Sequence, residues 1–63
     1  MAQNYVTRLV KIGERIYAVD VYHQEGRAYT ALVRDVLGAI ASGDTEEEAI
    51  AAAKTIAAVK TST

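Results

Sequence analysis

One histidine, two aspartates on neighbouring apolar runs and three consecutive glutamates are the side chains here that could support catalysis. His23 is the one residue whose ordinary pKa lies near neutrality, as a general base requires. It stands at the end of an apolar run beside a turn, with no Ser or Cys nucleophile motif nearby, and that setting suits a packing role at the surface. Asp20 and Asp35, on neighbouring runs, could form a carboxylate pair of the acid–base kind. Asp35, however, falls where the third run ends, and Asp20 is placed to pair with Thr7 across the first hairpin. Glu46, Glu47 and Glu48 could be read as a metal cluster, but consecutive helical residues fan around the axis and do not converge. Gly38 and Gly43 are too few and too far apart for a phosphate-binding loop. With no cysteine and one histidine, no metal-ligand pattern forms, and no nucleophile, base and oxyanion donor assemble. The expectation is a protein that is not an enzyme and needs no cofactor.

The elements that would position these residues are well punctuated. "YVTRLVKI" (5–12) and "RIYAVDVYH" (15–23) are strand-like runs separated by Gly13-Glu14, a pair that fits a two-residue type II′ hairpin turn. "QEGR" follows, with Gly26 available for positive φ, and then a third run, "AYTALVRD" (28–35). Ala39 to Ser42 leave room for a short fourth strand before Gly43 breaks the chain. Residues 45–60 have strong helix propensity. Thr45 with Glu48 three residues on is a capping box, and Asp44 with Glu47 offers the same spacing one residue earlier. The three glutamates favour the positive end of the helix dipole, and Lys60 lies near the other end. Ala49, Ile50, Ala53, Ile56 and Ala57 form one apolar stripe. The expected fold is α+β: a three-stranded antiparallel meander, with or without the short fourth strand, and one C-terminal helix on one face. Residues 1–63 make a single domain.

Composition narrows the function classes. Seven basic and eight acidic residues are interspersed for a net charge of −1, so the basic footprint of a duplex-binding protein is missing and DNA binding is not expected. No apolar run approaches the ~20 residues of a membrane span, and no signal-peptide pattern opens the chain, so the expected compartment is the cytoplasm. A chain of this size buries only ~60% of its unfolded surface. Its large aliphatics are seven Val, five Ile and three Leu, beside twelve Ala and no Phe or Trp. Association with another chain is the expected source of further stability, and a homo-oligomer is expected.

The two hairpin turns allow a register to be written. Around Gly13-Glu14, Ile12 faces Arg15, Val10 faces Tyr17, Arg8 faces Val19 and Val6 faces Val21. With Glu25-Gly26 as the second loop, Val19 faces Leu32 and Tyr22 faces Tyr29; a one-residue change in that loop would flip the third strand. Cross-strand partners share a face, so Tyr5, Leu9, Ile16, Ala18, Tyr22, Tyr29, Ala31 and Val33 fall opposite the set that suits the helix. Both faces are apolar, unlike a one-sided antiparallel sheet. Tyr5, Leu9, Tyr22, Tyr29, Ala31 and Val33 are therefore the expected partner or oligomer interface. The tyrosine row also admits a single-stranded nucleic-acid platform, a reading that lacks a basic surround.

"RDVLGAIASGDTEEEAI" resembles the partial RNase H-like domain of HicB-type antitoxins. That family carries Pro-Asp-Leu-Pro-Gly, a short strand, then Gly-Asp-Thr-x-x-Glu-Ala before a helix. Asp35, Gly38, Gly43, Asp44, Thr45, Glu48 and Ala49 keep the family spacing, while Arg34 and Leu37 stand at the two proline positions. The resemblance covers about residues 15–60. It implies a non-enzymatic module that dimerises and blocks a small ribonuclease toxin by steric occlusion, with Arg34, Asp35 and Leu37 as recognition-loop candidates. The family's C-terminal DNA-binding domain has no counterpart in these 63 residues. A small phage or mobile-element inhibitor of a host defence complex, built on the same fold, is the alternative.

Overall fold

A computed structural model describes residues 5–62; residues 1–4 and 63 lie outside the described residues. The elements are β1 (Tyr5–Ile12), β2 (Arg15–Tyr22), β3 (Tyr29–Val33), β4 (Ile40–Gly43) and α1 (Glu46–Thr61). The four strands form one antiparallel sheet in the order β1-β2-β3-β4, and α1 packs on one face. This is the expected α+β fold with its fourth strand present, shifted one residue later than Ala39–Ser42.

The first hairpin follows the residues that close it. Gly13 has φ +65 and Glu14 has no positive φ, the pattern of a type II′ turn. The β1–β2 register runs from Tyr5↔Tyr22 to Ile12↔Arg15, as the sequence indicates. The second hairpin differs by one residue. Arg27 N–H donates to Gln24 O at 2.9 Å, and Gly26 takes φ +79 at the third position of that turn. The turn is Glu25-Gly26 as the sequence indicates, but seven residues, 23–29, lie between the paired Tyr22 and Thr30 where six would join Tyr22 to Tyr29, so Val19 pairs with Val33 and Val21 with Ala31. Because side chains alternate along a strand, this single residue turns all of β3 over.

The consequence is a change of face for half the expected interface. Tyr29, Ala31 and Val33 lie on the helix side, where Ala31 and Val33 are fully buried and Tyr29 is half-buried. The row of three tyrosines across three strands does not form. In its place Tyr5 stacks on Tyr22 at 5.1 Å on the open face, while Tyr29 stacks on His23 at 3.9 Å on the other side.

The core lies between sheet and helix and is built of small side chains. Ile12, Val19, Val21, Val33 and Val36 pack with Ala31 and Ala39 against Ala49, Ala53 and Ala57 of α1. The helix lies chiefly over β3 and β4. Its start matches the expected cap, with Thr45 in extended conformation and its hydroxyl accepting from Glu48 N–H at 3.1 Å. The return bond differs from the usual box: Glu48 Oε1 accepts from Asp44 N–H, 3.0 Å away, so one carboxylate fixes the residue before the cap. Glu46 turns elsewhere and meets Arg8 of β1 at 2.6 Å. The three glutamates thus diverge, as helical geometry requires.

Candidate functional site

The face of the sheet away from α1 carries Tyr5, Thr7, Leu9 and Lys11 from β1, and Ile16, Ala18, Asp20 and Tyr22 from β2. Thr30 and Leu32 of β3, with Ile40 and Ser42 of β4, complete it. Four of its large apolar side chains are strongly exposed: Leu9 at 77%, Ile16 at 68%, Ile40 at 51% and Tyr22 at 42%. An antiparallel sheet that ends at water places polar residues in such positions. The expected interface residues Tyr5, Leu9 and Tyr22 are on this face. Ile16, Leu32 and Ile40 extend it and were not among those expected. Ile16 was legible through the β1–β2 register, whereas Leu32 reaches this face only in the observed β3 register.

At the centre of the face sits a polar cluster. Asp20 is 6% exposed and is the one buried charged residue among those described. Arg34 grips it side-on, with Nη2 donating to Oδ1 at 2.7 Å and Nε to Oδ2 at 3.3 Å. Thr7 Oγ1 donates to Asp20 Oδ1 at 2.8 Å, the cross-hairpin contact that the sequence indicates. Arg34 owes its position to the backbone: its N–H donates to Ala18 O at 2.9 Å, which continues the β3 ladder by one residue. Hydrogen bonds from Arg34, then from Thr7, hold the Asp20 carboxyl below its ordinary range. A carboxylate with a depressed folded pKa stabilises the fold above its unfolded pKa of about 3.9, and that contribution vanishes as pH falls through the lower folded value. Asp20→Asn should therefore melt below the unaltered chain at neutral pH, with the gap closing in strong acid. Thermal unfolding followed by circular dichroism from neutral pH into acid reads this; a pH-independent gap would refute it.

The recognition-loop candidates occupy a tight connection between β3 and β4. Val36 N–H bonds Val33 O and Ala39 N–H bonds Val36 O, two successive turns, with Gly38 at φ +84. Val36 points into the core and anchors the loop, although Arg34, Asp35 and Leu37 were the residues singled out. Arg34 is committed to Asp20. Asp35 is exposed, and Leu37 is 96% exposed at the rim of an open groove that it shares with Ile16, Arg15 and Lys60. Ile16 therefore links the open face to the loop through a groove that Arg15, Asp35 and Lys60 also line.

The remaining candidates for chemistry are dispersed. His23 is exposed and stacked on Tyr29, and Asp20 is held by Arg34 and Thr7. Among the described residues no group of three or more His, Asp or Glu converges to hold a metal ion, and no helix is long and apolar enough to cross a membrane. Family models, curated proteins and solved structures yield no match to this chain.

Proposed function

We propose that this protein is a non-enzymatic binding module whose open sheet face docks on a protein partner and blocks it sterically. The observation that carries this reading is the exposure of Leu9, Ile16, Tyr22 and Ile40 on one face, around an ion pair already satisfied within the chain. Leu37 extends the contact around the end of the sheet. The resemblance to HicB-type antitoxins supports a small ribonuclease toxin as the kind of protein covered. A partner in a host defence complex would use the same surface.

The test is a paired capture experiment. The immobilised chain and its Leu9→Glu/Ile16→Glu variant are exposed to extract of the source cells, and retained proteins are identified by mass spectrometry. Both altered positions are largely exposed, so the variant is expected to keep its circular dichroism spectrum and cooperative unfolding. A protein retained by the unaltered chain and lost from the variant supports the reading, and equal retention on both contradicts it.

A further inference from the structure

We propose that the open sheet face is where two copies of this chain meet, sheet on sheet, with the helices outward. The proposal rests on the docking reading above and names the occupant of the face in the partner-free protein.

The first ground is the sorting of side chains by size. All three leucines lie outside the core, as do Ile16 and Ile40, while the core holds one isoleucine among valines and alanines. Each Val or Ala removes less apolar area from water than a Leu or Ile would. In a chain this short the aliphatics left outside matter to stability, and domains of this size commonly draw on oligomerisation. Cover needed for stability must be present wherever the chain is made. A second copy always is.

Charge is the second ground. Within the four strands the open face carries Asp20 and Lys11, and Asp20 is neutralised by two hydrogen bonds from Arg34. Lys11 lies on the edge strand β1, opposite Ile16. A face whose central charge is compensated within the chain meets its own copy without like-charge repulsion at its centre.

The area is also adequate. Strands lie about 4.8 Å apart and rise about 3.3 Å per residue, so strands of eight, eight, five and four residues present about 400 Å² in projection. Two such faces, with side-chain relief, approach the ~1,000 Å² at which specific interfaces begin. That size fits a reversible dimer. Sheets packed this way sit about 10 Å apart with their strands roughly aligned, a spacing at which Leu9, Ile16, Leu32 and Ile40 can interdigitate. Partner capture then competes with the second copy, and dimerisation regulates access to the docking face.

Sedimentation equilibrium of the full chain from about 5 to about 500 µM tests the proposal. The unaltered protein is expected to approach the mass of two chains, and Leu9→Glu/Ile16→Glu to stay at one, with association weakened about tenfold or more. Val59→Glu, on the outer surface of α1, is expected to dimerise like the unaltered chain. Ile40→Lys makes the same test from the opposite edge strand should the double variant unfold. A chain monomeric at every concentration overturns the proposal; if capture of another protein is still lost in the double variant, the docking reading stands alone. A dimer that persists in both face variants also overturns it, because the contact then lies elsewhere.

Discussion

Gly43→Ala is expected to leave this protein unfolded, or with a small fraction of its stability, at room temperature. A Cβ at position 43 would lie 2.6 Å from Ala49 N, 2.7 Å from Glu48 Cβ and 2.8 Å from Glu48 C. Two of these atoms are helix backbone, so relief requires moving the first turn of α1 as a unit. That turn holds the Thr45 cap and the Glu48 bond to Asp44, which would be displaced with it. Overpacking costs of 1–3 kcal/mol, or more against backbone, compare with a total of about 3–9 kcal/mol for a domain this size. Gly13→Ala provides the contrast. Its φ is +65, but nothing lies within 4 Å of the added carbon, so a loss of about 1 kcal/mol is expected. Urea unfolding of both variants measures the difference, and equal losses would show that the close approach at Gly43 is not limiting.

Ala53→Leu is expected to have the next largest effect. Ala49, Ala53 and Ala57 are completely buried and lie one turn apart, so they set the distance between α1 and the sheet. Three added carbons at the middle position have nowhere to go but against Val and Ala of β3 and β4, and they lever the helix outward. A loss of about 3 kcal/mol in urea unfolding is expected, with exposed apolar surface detectable by dye binding. Ala18 on the open face is the control. Enlarging it to Leu is expected to leave the monomer within about 1 kcal/mol of the unaltered chain. If Ala53→Leu proves equally mild, the helix is not held by close alanine contact.

Much of this fold is written in local sequence signals. Gly13-Glu14 closes β1 on β2 in one register only, and the Thr45–Glu48 and Asp44–Glu47 spacings place the start of α1 to within one residue, so the first hairpin, the helix and its stripe were legible. The β2–β3 register was not, because the Glu25-Gly26 turn does not fix how many residues flank it before pairing resumes, and seven instead of six between the paired residues exchanges the faces of β3. Apolar patterning did not break the tie, since both faces of β3 are apolar. A charge pair could have: Asp20 and Arg34 share a face only in the observed register, where Arg34 comes opposite Ala18. Tyr29, Ala31 and Val33 were misplaced for that reason, and Leu32 was missed. The loop from Arg34 to Gly38 resembles a recognition segment in sequence. In the fold it is a tight connection with Arg34 turned toward Asp20 and Leu37 left at the surface.

The central claim is that Leu9, Ile16, Leu32 and Ile40 are covered by protein in the working state. Methyl-labelled protein at high concentration, titrated with a soluble paramagnetic chelate, reports on this side chain by side chain. Methyl groups of those four residues should be shielded from relaxation, while Val59 on the helix exterior should be strongly relaxed. They should lose their shielding in the Leu9→Glu/Ile16→Glu variant at every position that remains labelled. Relaxation of the open-face methyls as strong as that of Val59 in the unaltered protein, at concentrations where it associates and with any captured partner bound, would contradict the account.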